Sequence, residues 1–223
     1  MIRKNFWQTE RIKLRAAEEP DLNILVKYGK SPDSVRQWYE DEMLFPYSEK
    51  ETKELFLDDI NNYYKDDKKL FIIEAAGGTK DAPAGGADEA AGGPVNAPAN
   101  GVSATVDFEY AGQLSVWHAN RRSGVFRHGI FLEELFRGRG LAKEALVIAM
   151  DFYFNELGYR KVCPYIYPYN ANSLKFHEKL GFTFEARLKE EHFTRNGYHD
   201  VLYYSLFKDD FNALHRDALW SAQ

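Results

Sequence analysis

A strand, a glycine-rich turn and a long amphipathic helix follow one another without a break between Val125 and Leu157, and this block limits the folds open to the chain. Val125 to Leu132 is rich in β-branched and aromatic residues and reads as a strand. The turn Arg137-Gly138-Arg139-Gly140 comes next. Leu141, Ala145, Ile148, Ala149 and Phe152 then recur at helical spacing, and Gly158 supplies a C-terminal stop. Lys161 to Tyr167 reads as a further strand, Ser173 to Leu180 as a helix ended by Gly181, and His199 to Phe207 as a last strand. Strands alternating with helices predict α/β layering, with parallel pairing at the centre.

Upstream, Arg11 to Ala16 alternates like a strand and Pro20-Asp21 opens a helix. Ser31-Pro32-Asp33 starts a second helix carrying Val35, Trp38 and Tyr39. Ser48 with Glu51 three residues on forms a capping box, leading a helix through Leu55, Phe56 and Ile60. Lys69 to Ala75 and Thr105 to Tyr110 read as strands, Leu114 to His118 as another, and Arg121 to Gly124 as a turn. Between the first two of these lies Gly77 to Gly101, rich in Gly, Ala and Pro and free of aromatics. Such a segment buries too little surface to offset its ordering entropy. Either it links two domains or it is a flexible insertion in a loop of one. Flanking strands favour the insertion, and loop closure adds only about 0.6 kcal/mol per doubling of length. The expected organisation is a single domain over residues 1–223 with an insertion at about 77–101.

Of the 223 residues 44% are hydrophobic and 15% aromatic, enough for a sizeable core and against wholesale disorder. A net charge of -5 argues against a nucleic-acid partner and suits a cationic, amine-bearing one. One cysteine, Cys163, excludes an internal disulfide framework and a multi-cysteine metal site, and His192, His199 and His215 lack ligand spacing, so no metal is expected. No apolar run approaches a membrane span, and no apolar stretch follows the basic N-terminus. A cytoplasmic protein with no membrane partner is the expectation.

The glycine turn carries the chemistry. Glycines permit positive φ and close backbone approach, and a helix N-terminus adds partial positive charge, so the turn is suited to phosphate or pyrophosphate. Arg137, Arg139 and Lys143 add full charges; an ordinary strand-to-helix connection is the competing reading. A dinucleotide loop needs Gly or Ala where Lys143 stands, and no GxxxxGK followed by Ser or Thr exists, so both nucleotide patterns fail.

Arg137-Gly138-Arg139-Gly140-Leu141-Ala142 resembles the (Q/R)xxGx(G/A) coenzyme A loop of the GNAT superfamily of N-acetyltransferases. Asn170 to Phe182, with Asn170, Ser173 and Glu178-Lys179-Leu180-Gly181-Phe182, resembles that superfamily's downstream helix. Arg195 to Val201 resembles the C-terminal hairpin of the subgroup holding ribosomal-protein N-terminal (alanine) and polyamine acetyltransferases. The resemblance implies a mixed, mostly antiparallel twisted sheet with a splayed central parallel strand pair, flanked by helices. It implies acetyl-CoA as co-substrate and a small-molecule or peptide amine as acceptor, in a monomer or homodimer. By the same similarity the backbone of Phe131 and Leu132 would pair with the pantetheine arm. Arg137, Gly138, Arg139, Gly140, Leu141 and Ala142 would hold the pyrophosphate, and Asn170 and Ser173 would contact the cofactor.

An amine attacking a thioester must lose a proton, and an acid can protonate the leaving thiolate. Many members of the superfamily place a tyrosine before the signature corresponding to Glu178 to Phe182; this chain has His177 there. An imidazolium can give the same proton; a packing histidine with no catalytic duty is the alternative. Trp38, Tyr39 and Glu42 fall where the superfamily builds its acceptor wall, and aromatics with a carboxylate suit a cationic amine; a half-buried amphipathic helix is the simpler reading. Tyr165 and Tyr167 share one strand face and either line the acceptor pocket or pack. The functions in contention are amine N-acetylation by direct attack in a ternary complex and a non-catalytic acyl-CoA sensor or regulatory module.

Overall fold

The computed structural model describes residues 3–29, 48–61, 68–77, 107–194 and 196–220. The strands run β1 (Arg3–Asn5), β2 (Gln8–Thr9), β3 (Ile12–Ala16), β4 (Lys69–Ala76), β5 (Phe108–Asn120), β6 (Val125–Leu132), β7 (Lys161–Val162), β8 (Tyr165–Ile166), β9 (Thr183–Thr194) and β10 (Gly197–Phe207). Among them lie α1 (Leu22–Gly29), α2 (Glu49–Asn61), α3 (Leu141–Asp151), α4 (Ala171–Lys179) and α5 (Lys208–Trp220). One sheet takes the order β1-β2-β3-β4-β5-β6-β7-β10-β8, with β9 also on β10. Every pairing among the described strands is antiparallel except β6 with β7. This is the mixed, mostly antiparallel architecture that the resemblance implies.

Strand periodicity sets the two layers. On β4, Leu70 and Ile72 point to one face and pack with Leu22 of α1 and Phe56 of α2. Phe71, Ile73 and Ala75 point to the other and join the larger core with Leu141, Leu146 and Ile148 of α3 and Phe211 of α5. Ile72, Ile73, Ile148 and Phe211 are fully enclosed, each worth about 1.5–3 kcal/mol relative to exposure.

The capping box at Ser48 forms as the sequence predicts: the Glu51 amide donates to Ser48 Oγ at 3.2 Å and the Ser48 amide donates to Glu51 Oε2 at 2.7 Å. Three readings change. Phe108 to Tyr110 and Leu114 to His118, expected in two separate strands, belong to the single strand β5; Thr105 and Val106 lie outside the described residues. Strand β5 stays continuous because Ala111 bulges out of register with β4: Tyr110 pairs with Glu74 and Gly112 with Ile73. The helix after the glycine turn passes into a π turn at Phe152–Glu156 before Gly158 takes the left-handed conformation (φ 76°). Helix α5 was not expected at all, although Asp209 and Asp210 in its first turn are favourable N-terminal residues.

The cleft originates at Pro164. The strand expected over Lys161 to Tyr167 splits there into β7 and β8, because proline has no N–H to give a ladder. Parallel pairing runs through Val125 with Lys161 and Phe126 with Val162, and the Cys163 amide still donates to Phe126 O at 2.8 Å. Beyond that point β8 pairs with β10 and not with β6. The central pair splays.

Candidate functional site

A cleft of about 1170 Å3 lies along the splayed pair. It is walled by β6, the start of α3, β8 and α4. Phe131, Leu132, Arg137, Gly138, Gly140, Leu141, Ala142, Asn170, Ser173 and His177 all line it, although they span 47 positions of chain. Arg139 does not. Trp38, Tyr39 and Glu42 lie outside the described residues.

Gly138 (φ 72°) and Gly140 (φ 76°) both take the left-handed conformation, so the turn needs glycine at these two places. Gly140 is the N-cap of α3 and offers no side-chain acceptor. The first N–H groups of the helix therefore lack intrahelical partners and lie where the cleft begins, with the positive end of the helix dipole behind them. The Arg137 Nε donates to Leu132 O at 2.8 Å and its guanidinium lies over the Phe131 ring, tying the turn to the end of β6. Arg139 stacks on Phe136. Backbone donors, dipole and cations fit a diphosphate.

On the opposite wall, Asn170 is the N-cap of α4 and its Oδ1 accepts from the Ser173 amide at 3.0 Å. His177 lies one turn beyond Ser173 on α4, only 5% exposed. Its Nδ1 is 2.8 Å from Ser173 O and 3.3 Å from Ser173 Oγ. A carbonyl can only accept, so Nδ1 carries the proton and Nε2 is left with a lone pair. That lone pair meets His128 Nε2 at 3.1 Å, so His128 must donate there and its Nδ1 is deprotonated. His128 Nδ1 has no hydrogen-bond partner among the described residues. The tautomers of the buried pair thus follow from one backbone carbonyl.

Both rings are neutral at ordinary pH. Burial, opposed only in part by the bond to Ser173 O, lowers the His177 pKa to about 4. Burial, and then the proximity of His177, holds His128 well below its usual value. The imidazolium expected at His177 from the sequence is therefore not the form this site holds at neutral pH. His128 is the residue that sequence reading missed. It shares a β6 face with Phe126, Ile130 and Leu132, and a histidine at an otherwise apolar face position was the available signal.

The tyrosines divide. Tyr167 is buried and packs on Tyr165 and on Tyr169. Tyr165 is half-buried, touches Trp117 edge-on and carries Arg127 over its ring. Tyr165, Tyr167 and Trp117 line the cleft on the side away from the glycine turn.

The fold and this cleft define an acyl-transferase architecture. The family described as the acetyltransferase (GNAT) domain matches residues 11–183, and the chain belongs to that family. Among curated relatives, the SPbeta prophage-derived uncharacterized N-acetyltransferase YokL of Bacillus subtilis (strain 168) is 32% identical over 114 residues, which are 51% of this chain and 64% of that protein. Spermidine N(1)-acetyltransferase of Escherichia coli (strain K12) is 27% identical over 49% of this chain and 59% of its own length. The matched part thus spans about three fifths of the curated relatives' length. Among solved structures, spermidine N-acetyltransferase from Vibrio cholerae in complex with CoA and spermine superposes with a TM-score of 0.67 at 19% identity, covering 91% of this chain and 99% of that one. At that identity the likeness is one of fold.

Proposed function

We propose that the protein transfers an acetyl group from acetyl-CoA to a primary amine. The carrying observation is the glycine turn, with two left-handed glycines and the open N-terminus of α3 at the mouth of a cleft made by strand splaying. Arg137, Gly138, Arg139, Gly140, Leu141 and Ala142 would hold the pyrophosphate. The β6 end at Phe131 and Leu132 would hold the pantetheine arm, with Asn170 and Ser173 opposite. In this reading a neutral amine attacks the thioester carbonyl directly in a ternary complex, and the protein's main contribution is orientation. His177 stands beside the leaving group as a neutral imidazole, whose Nδ1–H is shared between Ser173 O and Oγ. With its Nδ1–H given to Ser173 and its Nε2 accepting from His128, it has no proton for the thiolate and serves to shape the wall; the proton lost by the amine passes to the departing thiolate or to solvent. The relatives' names make a polyamine the first acceptor to test, and Trp117 offers a ring face suited to a cation.

Thermal unfolding with acetyl-CoA tests the reading. At a hundredfold its dissociation constant, a ligand adds about 2.7 kcal/mol, a rise of roughly 5–10 °C in Tm for a domain of this size. CoA is expected to do the same, while ATP and NAD leave Tm unchanged. Release of free CoA with spermidine or another primary amine completes the test. Binding without turnover across an amine panel would make the protein an acyl-CoA sensor; no shift at millimolar acetyl-CoA would end the reading.

We also propose that the described parts form one domain, with the segment at about 77–101 inserted between two of its strands. The support is local: Ala76 pairs with Phe108, and the Gly77 amide donates to Asp107 O at 2.9 Å. The ends of the insertion are thus already adjacent. Deleting Asp81 to Asn100 is expected to leave a single cooperative unfolding transition, with Tm within about 3 °C of the parent; loss of cooperativity would show that the segment links separate units.

A further inference from the structure

We infer that Arg11, in the turn between β2 and β3, is the positioning residue that sets the glycine turn for diphosphate binding. The inference rests on the acetyl-CoA reading of the cleft and adds a residue lying 128 positions before Arg139 in the chain. Arg11 is itself pinned. Its amide donates to Thr9 Oγ at 3.2 Å and its carbonyl accepts from the Ala76 amide at 2.8 Å. From that fixed base the guanidinium crosses to the glycine turn. Nη2 donates to the backbone carbonyl of Arg139, and Nε lies 3.7 Å from Glu144 Oε2.

The first contact orients a peptide plane. The Arg139–Gly140 bond is trans, and in a trans peptide the C=O and the following N–H point in opposite directions. With the Arg139 carbonyl held outward by Arg11, the Gly140 N–H faces the other way. Gly140 lines the cleft and Arg139 does not, so the freed amide is on the cleft side. Glycine at 140 is what lets the plane turn this way, with φ at 76° and the Arg11 Nη2 only 3.9 Å from where a Cβ would stand. Left to itself, a two-glycine turn also samples plane orientations that aim a carbonyl, not an amide, at the anion.

The second contact concerns charge. Glu144 sits in the first turn of α3 and is 8% exposed. A buried carboxylate one turn from an anion site opposes phosphate binding unless a cation faces it. Arg11 supplies that cation from outside the cleft. Its two contacts are therefore one device: amide toward the ligand, acid neutralised behind it. A lysine has no planar fork and cannot serve both partners at once.

The test is calorimetric titration of CoA into the parent, Arg11→Met and Arg11→Lys, with turnover measured using acetyl-CoA and acetyl-pantetheine, which lacks the diphosphate. Removing a charge-assisted hydrogen bond together with the neutralising charge predicts a roughly tenfold to hundredfold rise in the CoA dissociation constant for Arg11→Met. Arg11→Lys falls between it and the parent. The kcat/KM for acetyl-CoA drops in parallel with affinity and far more than that for acetyl-pantetheine, while kcat changes little. An equal loss with both donors means Arg11 supports the fold without orienting the turn, and overturns the inference. So does unchanged CoA affinity in Arg11→Met. If Arg11→Met fails to fold, the donor ratio in Arg11→Lys decides. A parent that binds no CoA defeats the cofactor reading itself, and this inference with it, a result unlike any of the others.

Discussion

Between pH 6.5 and pH 4 the parent protein is expected to lose at least about 3 kcal/mol of stability relative to a His128→Leu/His177→Phe double variant. The histidine pair is the source. His177 falls from an ordinary 6.5 to about 4 on folding, because burial disfavours its charged form. At about 1.4 kcal/mol per pH unit this amounts to about 3 kcal/mol. Because the folded pKa lies below the unfolded one, the unfolded chain binds more protons in this window. The stabilising contribution is complete above pH 6.5 and is lost as pH falls toward 4. His128, also held low by burial and by its neighbour, acts in the same direction. Subtracting the double variant removes the background from carboxylates, so the difference curve reports the pair alone.

The single variants sharpen this result. Leaving either ring without its partner strands a buried donor or acceptor, at about 1–3 kcal/mol, whereas replacing both is closer to neutral. At pH 7 the double variant is therefore expected to be more stable than the sum of the two single losses predicts. Urea midpoints at pH 7 and pH 4.5 measure both effects. A parent as acid-resistant as the double variant would mean that the rings are hydrated or separated in solution. The same neutrality limits catalysis: His177→Phe should lower kcat by roughly tenfold, short of the 10²–10⁴ that a true acid contributes.

The second large effect falls at Gly112. A Cβ there would stand 2.1 Å from Phe131 O and 2.9 Å from Leu132 Cα. Both are backbone atoms, so relief requires moving β5 away from β6 and not merely turning a side chain. Gly112 pairs with Leu132 on one side and with Ile73 on the other, immediately after the bulge at Ala111. The neighbouring Glu133 amide donates to Ala111 O at 2.9 Å, so the strand end is held from both directions. Gly112→Ala is expected to cost about 3 kcal/mol or more, lowering Tm by roughly 6–12 °C. Because Phe131 and Leu132 form the β6 wall of the cleft, acetyl-CoA affinity should fall together with stability. A Tm change under about 2 °C would show that the two strands separate freely here.

Local patterns carried much of this protein in its sequence. The glycine turn, its helix and the capping box at Ser48 are each defined by residues within a few positions of one another. Their physics is a preferred φ, a periodic apolar face or a short hydrogen-bond loop. Pro164 was also readable as an obstacle to pairing, but not as the cause of the cleft, because that depends on which strand lies beside it. Ten of the site residues were implied by the resemblance to the GNAT superfamily, and the fold brings all ten to one cleft. Tertiary structure alone decided the pairing of His128 with His177, 49 positions apart. It also joined Arg11 to a turn 128 positions downstream. No local pattern encodes such contacts, since they arise only when the sheet brings distant strands and helices together. The ionisation of His177 belongs with them: the residue was legible as a candidate proton donor, but burial, opposed in part by the bond to Ser173 O, sets its charge, and burial is a property of the packed molecule.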